Sequence, residues 1–290
     1  MRTKIFFLLL IFSSISFSET KQVQINESGH KLNGLLTIAE NNSKKNVVLL
    51  VHGILGHQKM EIIENLKTLL YENNIDSLSI NLSYGIKERE NSFFECDQKH
   101  NHDEKTSLQE IYKWHKFLIK NKYQNIYLLG HSRGALNIAQ YYSSNNELRS
   151  ENLFLLAPPS KNKNDHIKLF KNRHNIDLET ELLKMSNRMS EGKEVYTKIN
   201  FFHCKDSVVH DKTFLSYYQN KINLIGALHK IDIPIYIFTA SEDNIANLTF
   251  SKVTKLDKEN IELIQIDGSG HMFRDLYLEE VMDTVLEVIR

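Results

Sequence analysis

The stretch LLGHSRGAL, residues 128–136, sets one serine between two glycines, directly after an apolar run and directly before a helical pattern. An ordinary surface serine needs no such frame. A serine held exposed on a sharp strand-to-helix turn needs all of it, because flanking glycines let the turn close and leave the hydroxyl clear of the backbone. Ser132 is therefore the candidate nucleophile, and Gly130 and Gly134 are the residues that permit its turn. The following helix points its N-terminus at that hydroxyl and favours negative charge there.

Outward from this point the same alternation repeats. VVLLV (47–51) is a short apolar run rich in β-branched residues, the pattern of a strand buried on both faces. After it, Ile62, Ile63, Leu66, Leu69 and Leu70 recur at helical spacing. DSLSINL (76–82), NIYLLG (125–130), NLFLLAP (152–158), IPIYIFTA (233–240) and NIELIQID (260–267) read as further strands. Helical patterns fall through Ile111, Trp114, His115 and Leu118, over 132–144, and from about Asp275 to Ile289. KQVQI and KLNGLLTIAE, near the start, read as a hairpin pair. Strands alternating with helices predict an α/β fold, with a mainly parallel sheet and helices on both faces. Between Pro159 and Ile231 the alternation stops for about seventy residues, too long for a bare loop. The pattern predicts a mostly helical lid over about 159–231, covering one edge of the sheet.

In an open parallel sheet, function gathers at the carboxyl ends of the strands, so position relative to those ends tests each candidate. A serine hydroxyl needs a base to take its proton. Of thirteen histidines, His271 in DGSGHMF follows a strand, lies in a glycine-flanked loop and precedes the last helix. An acid must orient that imidazole. Asp243 ends the strand IPIYIFTA at the correct edge; Asp232 precedes that strand, Glu242 is adjacent, and Asp267 is the main competitor. Acyl transfer also needs oxyanion donors. The backbone N–H of Arg133 is one. The second is Ile54 N–H, after His52-Gly53 in HGILGH, opposite the elbow.

HGILGH, GHSRG, SEDN and GSGHMF, in that order, resemble the α/β-hydrolase superfamily, specifically its serine hydrolases of esterase type. The resemblance spans Val47 to Arg290. It implies an eight-stranded sheet, a Ser–Asp–His triad in that chain order and a lid after the sixth strand. Serine at the elbow, where dehalogenases of the superfamily carry aspartate, sets the chain apart from those. The expected activity is hydrolysis of carboxylic esters, small or medium-sized, with no cofactor and no metal. A peptidase, amidase or thioesterase would use the same triad, and a non-catalytic binding protein on this scaffold is the rival of a different class.

Composition sets the frame. With 290 residues, 41% of them hydrophobic, the chain can bury a full core as one domain. Thirty-six basic against 36 acidic residues provide no polycation for nucleic acid. MRTK is a basic n-region, IFFLLLIFSSI an apolar h-region and SFS a small-residue cleavage region. Residues 1–18 are thus expected to be a signal peptide and 19–290 the domain. The apolar run of about eleven residues falls short of the roughly 20 that span a membrane. Export to the periplasm or medium is expected, without stable membrane insertion after cleavage; a buried N-terminal helix or uncleaved anchor is the other reading.

In an oxidising compartment Cys96 and Cys204 could bond to each other, or remain two buried thiols. CDQKHNHDEK (96–105) brings Cys96, His100, His102 and Asp103 close together without a structural zinc pattern, so these residues are expected to bond the loop or line the pocket. The basic segment KNKNDHIKLFKNRH (161–174) is a solvated helix face or an attraction for acidic substrates. The Arg133 side chain could meet a substrate carboxylate or pair with a neighbouring acid.

Overall fold

The computed structural model describes residues 19–27, 29–40, 44–145, 147–219 and 222–290. The expected signal peptide, 1–18, lies outside them. Among the described residues no helix is long and apolar enough to cross a membrane.

The described residues begin with β1 (Glu19–Glu27) and β2 (His30–Ile38), the hairpin expected from sequence. β3 (Asn46–Val51), α1 (Glu61–Glu72), β4 (Asp76–Ile80), α2 (Glu104–Lys120), β5 (Asn125–His131), α3 (Arg133–Ser144) and β6 (Leu153–Leu156) follow. The sheet resumes with β9 (Ile235–Ala240), followed by α8 (Thr249–Val253), β10 (Ile261–Ile266) and α9 (Leu276–Ile289). Between β6 and β9 lie α4 (Lys163–His174), α5 (Leu178–Ser190), β7 (Tyr196–Phe201), β8 (Cys204–His210), α6 (Asp211–Tyr218) and α7 (Leu224–Leu228).

Eight strands form one sheet in the order β1-β2-β4-β3-β5-β6-β9-β10. β2 runs antiparallel to β1 and β4; the remaining pairs are parallel. The apolar runs behave as period-two strands buried on both faces. Val47, Leu49 and Val51 of β3 pack with Ile111 and Trp114 of α2 and Ile138 of α3. Val48 and Leu50 of the same strand pack with Ile62 and Leu66 of α1 and Val281 and Val285 of α9. The strand order changes direction between β3 and β5, and open parallel sheets place their ligands at the carboxyl ends beside such a reversal.

The segment between β6 and β9 is mostly helical, as expected, with one addition. It contains an antiparallel hairpin, β7–β8. Its strands are only partly buried, so they carry no continuous apolar run by which a strand could be recognised. Phe170, Leu178, Met185, Phe201, Val209 and Phe214 give this cap a small core of its own. The cap is fastened to the loop between β4 and α2. His100 N–H donates to the Val208 carbonyl, and His210 N–H donates to the His100 carbonyl, both at 2.9 Å. Cys96 in that loop is disulfide-bonded to Cys204 at the start of β8.

Candidate active site

Ser132 stands at the junction of β5 and α3 with φ 54° and ψ −121°, a conformation unusual for any residue but glycine. Three contacts hold it there. Its N–H donates to the Leu156 carbonyl at 2.8 Å, and its carbonyl accepts from Ala135 and Leu136 N–H. Gly130 and Gly134 are required by space: a Cβ at Gly130 would lie 2.5 Å from Ala135 N, and one at Gly134 2.5 Å from the His52 carbonyl oxygen. Gly134 thus lets the elbow dock on the end of β3, which brings the HGILGH loop beside the serine. A Cβ on Gly53 would lie 3.4 Å from the Ser132 Cβ.

Three of the residues singled out in sequence meet in one line. His271 Nε2 lies 2.9 Å from Ser132 Oγ. His271 Nδ1 lies 2.7 Å from Asp243 Oδ2. The other carboxylate oxygen, Oδ1, accepts from Ile245 N–H at 2.6 Å and Ala246 N–H at 2.9 Å. Burial alone would raise the Asp243 carboxyl, but the hydrogen bond from His271 and those from the backbone outweigh it and hold the group below its ordinary range. An ionised Asp243 fixes the proton of His271 on Nδ1, leaving Nε2 to accept from the serine hydroxyl. Of the competing acids, Asp267, Asp232 and Glu242 are exposed to solvent.

Arg133 follows the serine directly, and Ile54 follows Gly53, on which a Cβ would lie 3.4 Å from the Ser132 Cβ. Among the described residues neither backbone N–H has a hydrogen-bond partner. Arg133 opens α3, so its N–H is one of the orphan donors every helix start presents. The Ile54 loop is held from below. Leu82 N–H donates to His52 Nε2 at 3.1 Å, so the His52 proton sits on Nδ1 and is given to the Gly53 carbonyl at 2.7 Å. Burial first, with the nearby Arg89 charge, pushes His52 down to about 3 and keeps it neutral. Leu55 N–H donates to the Tyr84 hydroxyl at 3.1 Å, and the buried Arg89 guanidinium donates to the Gly56 and Leu82 carbonyls.

Sequence reading passed over Tyr84, Arg89 and His131. Only His131 carried a signal, its place beside Ser132. Its Nε2–H donates to the His271 carbonyl at 2.9 Å and ties the histidine loop to the end of β5. Burial, with the neighbouring His271, pushes His131 down to about 4, so it stays neutral.

The Arg133 side chain pairs with a neighbouring acid. Its guanidinium is hydrogen-bonded to the buried Glu104 carboxylate at the start of α2, and lies over the rings of Tyr217 and Phe202 in the cap. Burial raises the Glu104 carboxyl, and the Arg133 charge opposes that rise. The 96–105 cluster is occupied in other ways. Cys96 is in the disulfide, His100 Nδ1 lies 3.3 Å from His102 Nε2, and His102 Nδ1 lies 3.0 Å from the Tyr217 hydroxyl. Asp103 caps α2 through Thr106 N–H and pairs with Lys212. In the basic segment, Lys163, Lys168, Lys171 and Arg173 are exposed, while Lys161 donates to the Ile245 carbonyl beside Asp243.

Known structures share this architecture. Est1E from Butyrivibrio proteoclasticus superposes with a TM-score of 0.66 at 18% identity, over 92% of this chain and 98% of that one. The alpha/beta hydrolase GrgF from Penicillium sp. sh18 gives 0.66 at 15% identity, over 93% and 97%. The Pyrococcus furiosus esterase Pf2001 gives 0.58 at 17% identity, over 93% and 89%. No protein-family model matches the sequence, and no curated protein does. The chain has the α/β-hydrolase fold.

Proposed function

We propose that the protein is a serine hydrolase that cleaves carboxylic esters through an acyl-enzyme intermediate. One observation carries this reading: a hydrogen-bonded line from the Ser132 hydroxyl through the His271 ring to the buried Asp243 carboxylate. It ends at the strand-to-helix turn after β5, where the N–H groups of Ile54 and Arg133 have no partner among the described residues. The esterases among its structural neighbours support the same reading.

The chemistry follows from those positions. Ser132 Oγ bonds to the ester carbonyl carbon while its proton passes to His271 Nε2. The carbonyl electron pair moves onto oxygen, where Ile54 and Arg133 N–H receive the negative charge. Asp243 stabilises the imidazolium formed. The intermediate collapses, the C–O bond to the alcohol breaks, and the alcohol takes the proton from Nε2. Water then repeats the sequence on the acyl group and releases the acid, restoring the serine. Each proton passes between Ser132, His271, the departing alcohol and the incoming water, and the cycle as written calls on no cofactor.

The expected partner is a small-molecule ester, and the expected place of action is outside the cytoplasm. The apolar leader over 1–18 and the Cys96–Cys204 bond support export. N-terminal sequencing of the exported protein should begin just after Ser18.

A fluorophosphonate probe tests the central claim. It should label Ser132 in folded protein, and Ser132→Ala should lose both labelling and turnover of p-nitrophenyl acetate with the fold retained. Undiminished hydrolysis by that variant would refute the nucleophile assignment, and an unlabelled, inert wild type would make the chain a binding protein on this scaffold. Aminoacyl anilides and thioesters, run beside the ester, rank the amidase and thioesterase readings that share the triad.

A further inference from the structure

Phe202 occupies a position chosen against its own chemistry. It is the first residue of the two-residue turn joining β7 to β8, with φ 54°. Positive φ in such turns is the province of glycine and asparagine, and a bulky aromatic there is strained. Strain of this kind persists only where surrounding structure enforces it, and it gathers at functional sites. The surroundings here do enforce it. Phe202 N–H donates to the Tyr218 hydroxyl at 3.2 Å, and its ring packs on Phe201 at 4.3 Å and Tyr217 at 5.0 Å. Two positions on, Cys204 is bonded to Cys96.

The half-buried ring does more than fill the cap, whose core is completed by the fully buried Phe201. It reaches the Arg133 guanidinium, 5.8 Å from the ring centre, and the cap cluster it joins also packs against Ile54. Arg133 and Ile54 are the two residues whose N–H groups are proposed to receive the oxyanion. The ring thus sits on the side chain of the residue next to Ser132, and the cluster that it joins reaches Ile54 in the other loop.

We propose that Phe202 determines specificity, its ring forming the wall that limits the size of the apolar group an ester presents beside Ser132. This rests on the hydrolase reading of the site. The strained turn, the disulfide and the strand bridge to His100 hold that wall in place, so the limit is built into the resting protein.

The test uses the mature protein with Phe202→Gly, Phe202→Asn and Phe202→Trp. Glycine and asparagine accept positive φ, so the turn can survive loss of the ring. Active enzyme is counted by fluorophosphonate titration and the disulfide by thiol titration. Two series are compared: p-nitrophenyl esters from acetate to dodecanoate, and acetates of alcohols of increasing size. In one series the ratio of kcat/KM for the largest ester to that for the smallest should rise about tenfold or more in Phe202→Gly and Phe202→Asn, and fall in Phe202→Trp. The series that responds identifies the acyl or the alcohol side. Ratios that stay within about twofold in both series, with titratable sites intact, overturn the proposal while leaving the hydrolase reading standing. A wild type that is neither labelled nor active defeats both.

Discussion

Cys204 is bonded to Cys96 across a sequence separation of 108, with their Cα atoms 5.2 Å apart. The bond joins the hairpin of the cap to the loop that supports the Ile54 turn. It should therefore matter for stability and for the cap together. Closing a loop of about 100 residues restricts the unfolded chain strongly, and loss of such a bond typically costs about 2–5 kcal/mol. Cys96→Ser/Cys204→Ser, or wild type under dithiothreitol, should unfold at lower urea concentration than the oxidised protein. The cap should also become more open to proteolysis within β7–β8. Coincident unfolding curves for oxidised and reduced protein would contradict this.

The Arg133–Glu104 pair makes a second prediction. Both side chains are buried, and Arg133 is the residue after the proposed nucleophile. Removing one partner of a buried pair strands the other charge, at about 3–5 kcal/mol. Glu104→Ala should therefore destabilise strongly. Glu104→Ala/Arg133→Ala should lose less than the sum of the single losses, because the double variant strands no charge. Urea unfolding of the four proteins completes the cycle. Additive losses would mean that the two groups act independently.

The buried histidines predict how stability responds to acid. Burial first pushes His100 and His115 down to about 4, and His102 down to about 3. The unfolded chain takes up protons below about 6.5 while these folded sites stay neutral. The unfolded state then binds more protons, so stability is full above pH 6.5 and falls as pH drops towards 4. Each such histidine contributes up to about 1.4 kcal/mol per pH unit in that window. Glu104 and Glu110, raised by burial, act in the opposite direction. His100→Phe isolates one site: its ring lies between Phe94 at 4.9 Å and Phe201 at 5.0 Å, and its Nε2 has no partner among the described residues. The stability of that variant should depend on pH less steeply by about one proton between 6.5 and 4. Parallel curves for the two proteins would refute the assignment.

What sequence made legible follows a physical division. Apolar runs announce strands, and Ser132, Asp243 and His271 could be chosen because each follows such a run at one edge of the sheet; β5 and β9 are largely buried, while β10, before His271, is half-exposed. β7 and β8 are half-exposed, so their pattern resembles that of a polar loop, and the hairpin does not stand out within the mostly helical cap. Tyr84 and Arg89 act through contacts made only once the chain has folded. Arg89 donates to the Leu82, Gly56 and Ser92 carbonyls and lies over the Tyr84 ring, with no ion pair among the described residues, so no charge pattern along the sequence marks it. Phe202 was invisible for the opposite reason: an aromatic in a turn contradicts the propensity by which turns are recognised.

Asp243→Asn gives the sharpest test of the proton line. In the wild type, Oδ1 is held by two backbone donors, Ile245 and Ala246 N–H, and Oδ2 accepts from His271 Nδ1. An asparagine must keep its carbonyl oxygen towards those two donors, because its amide nitrogen cannot accept from them. The amide nitrogen then faces His271 Nδ1 as a donor. Nδ1 must become the acceptor, and the imidazole proton moves to Nε2, which faces the Ser132 hydroxyl. The base is lost although every group remains in place. kcat/KM for p-nitrophenyl acetate should fall about 10³–10⁴-fold, with the folded protein intact by circular dichroism. Fluorophosphonate labelling of Ser132 should slow in parallel, since it needs the same base. A variant within about tenfold of wild type would mean that Asp243 does not set the tautomer of His271.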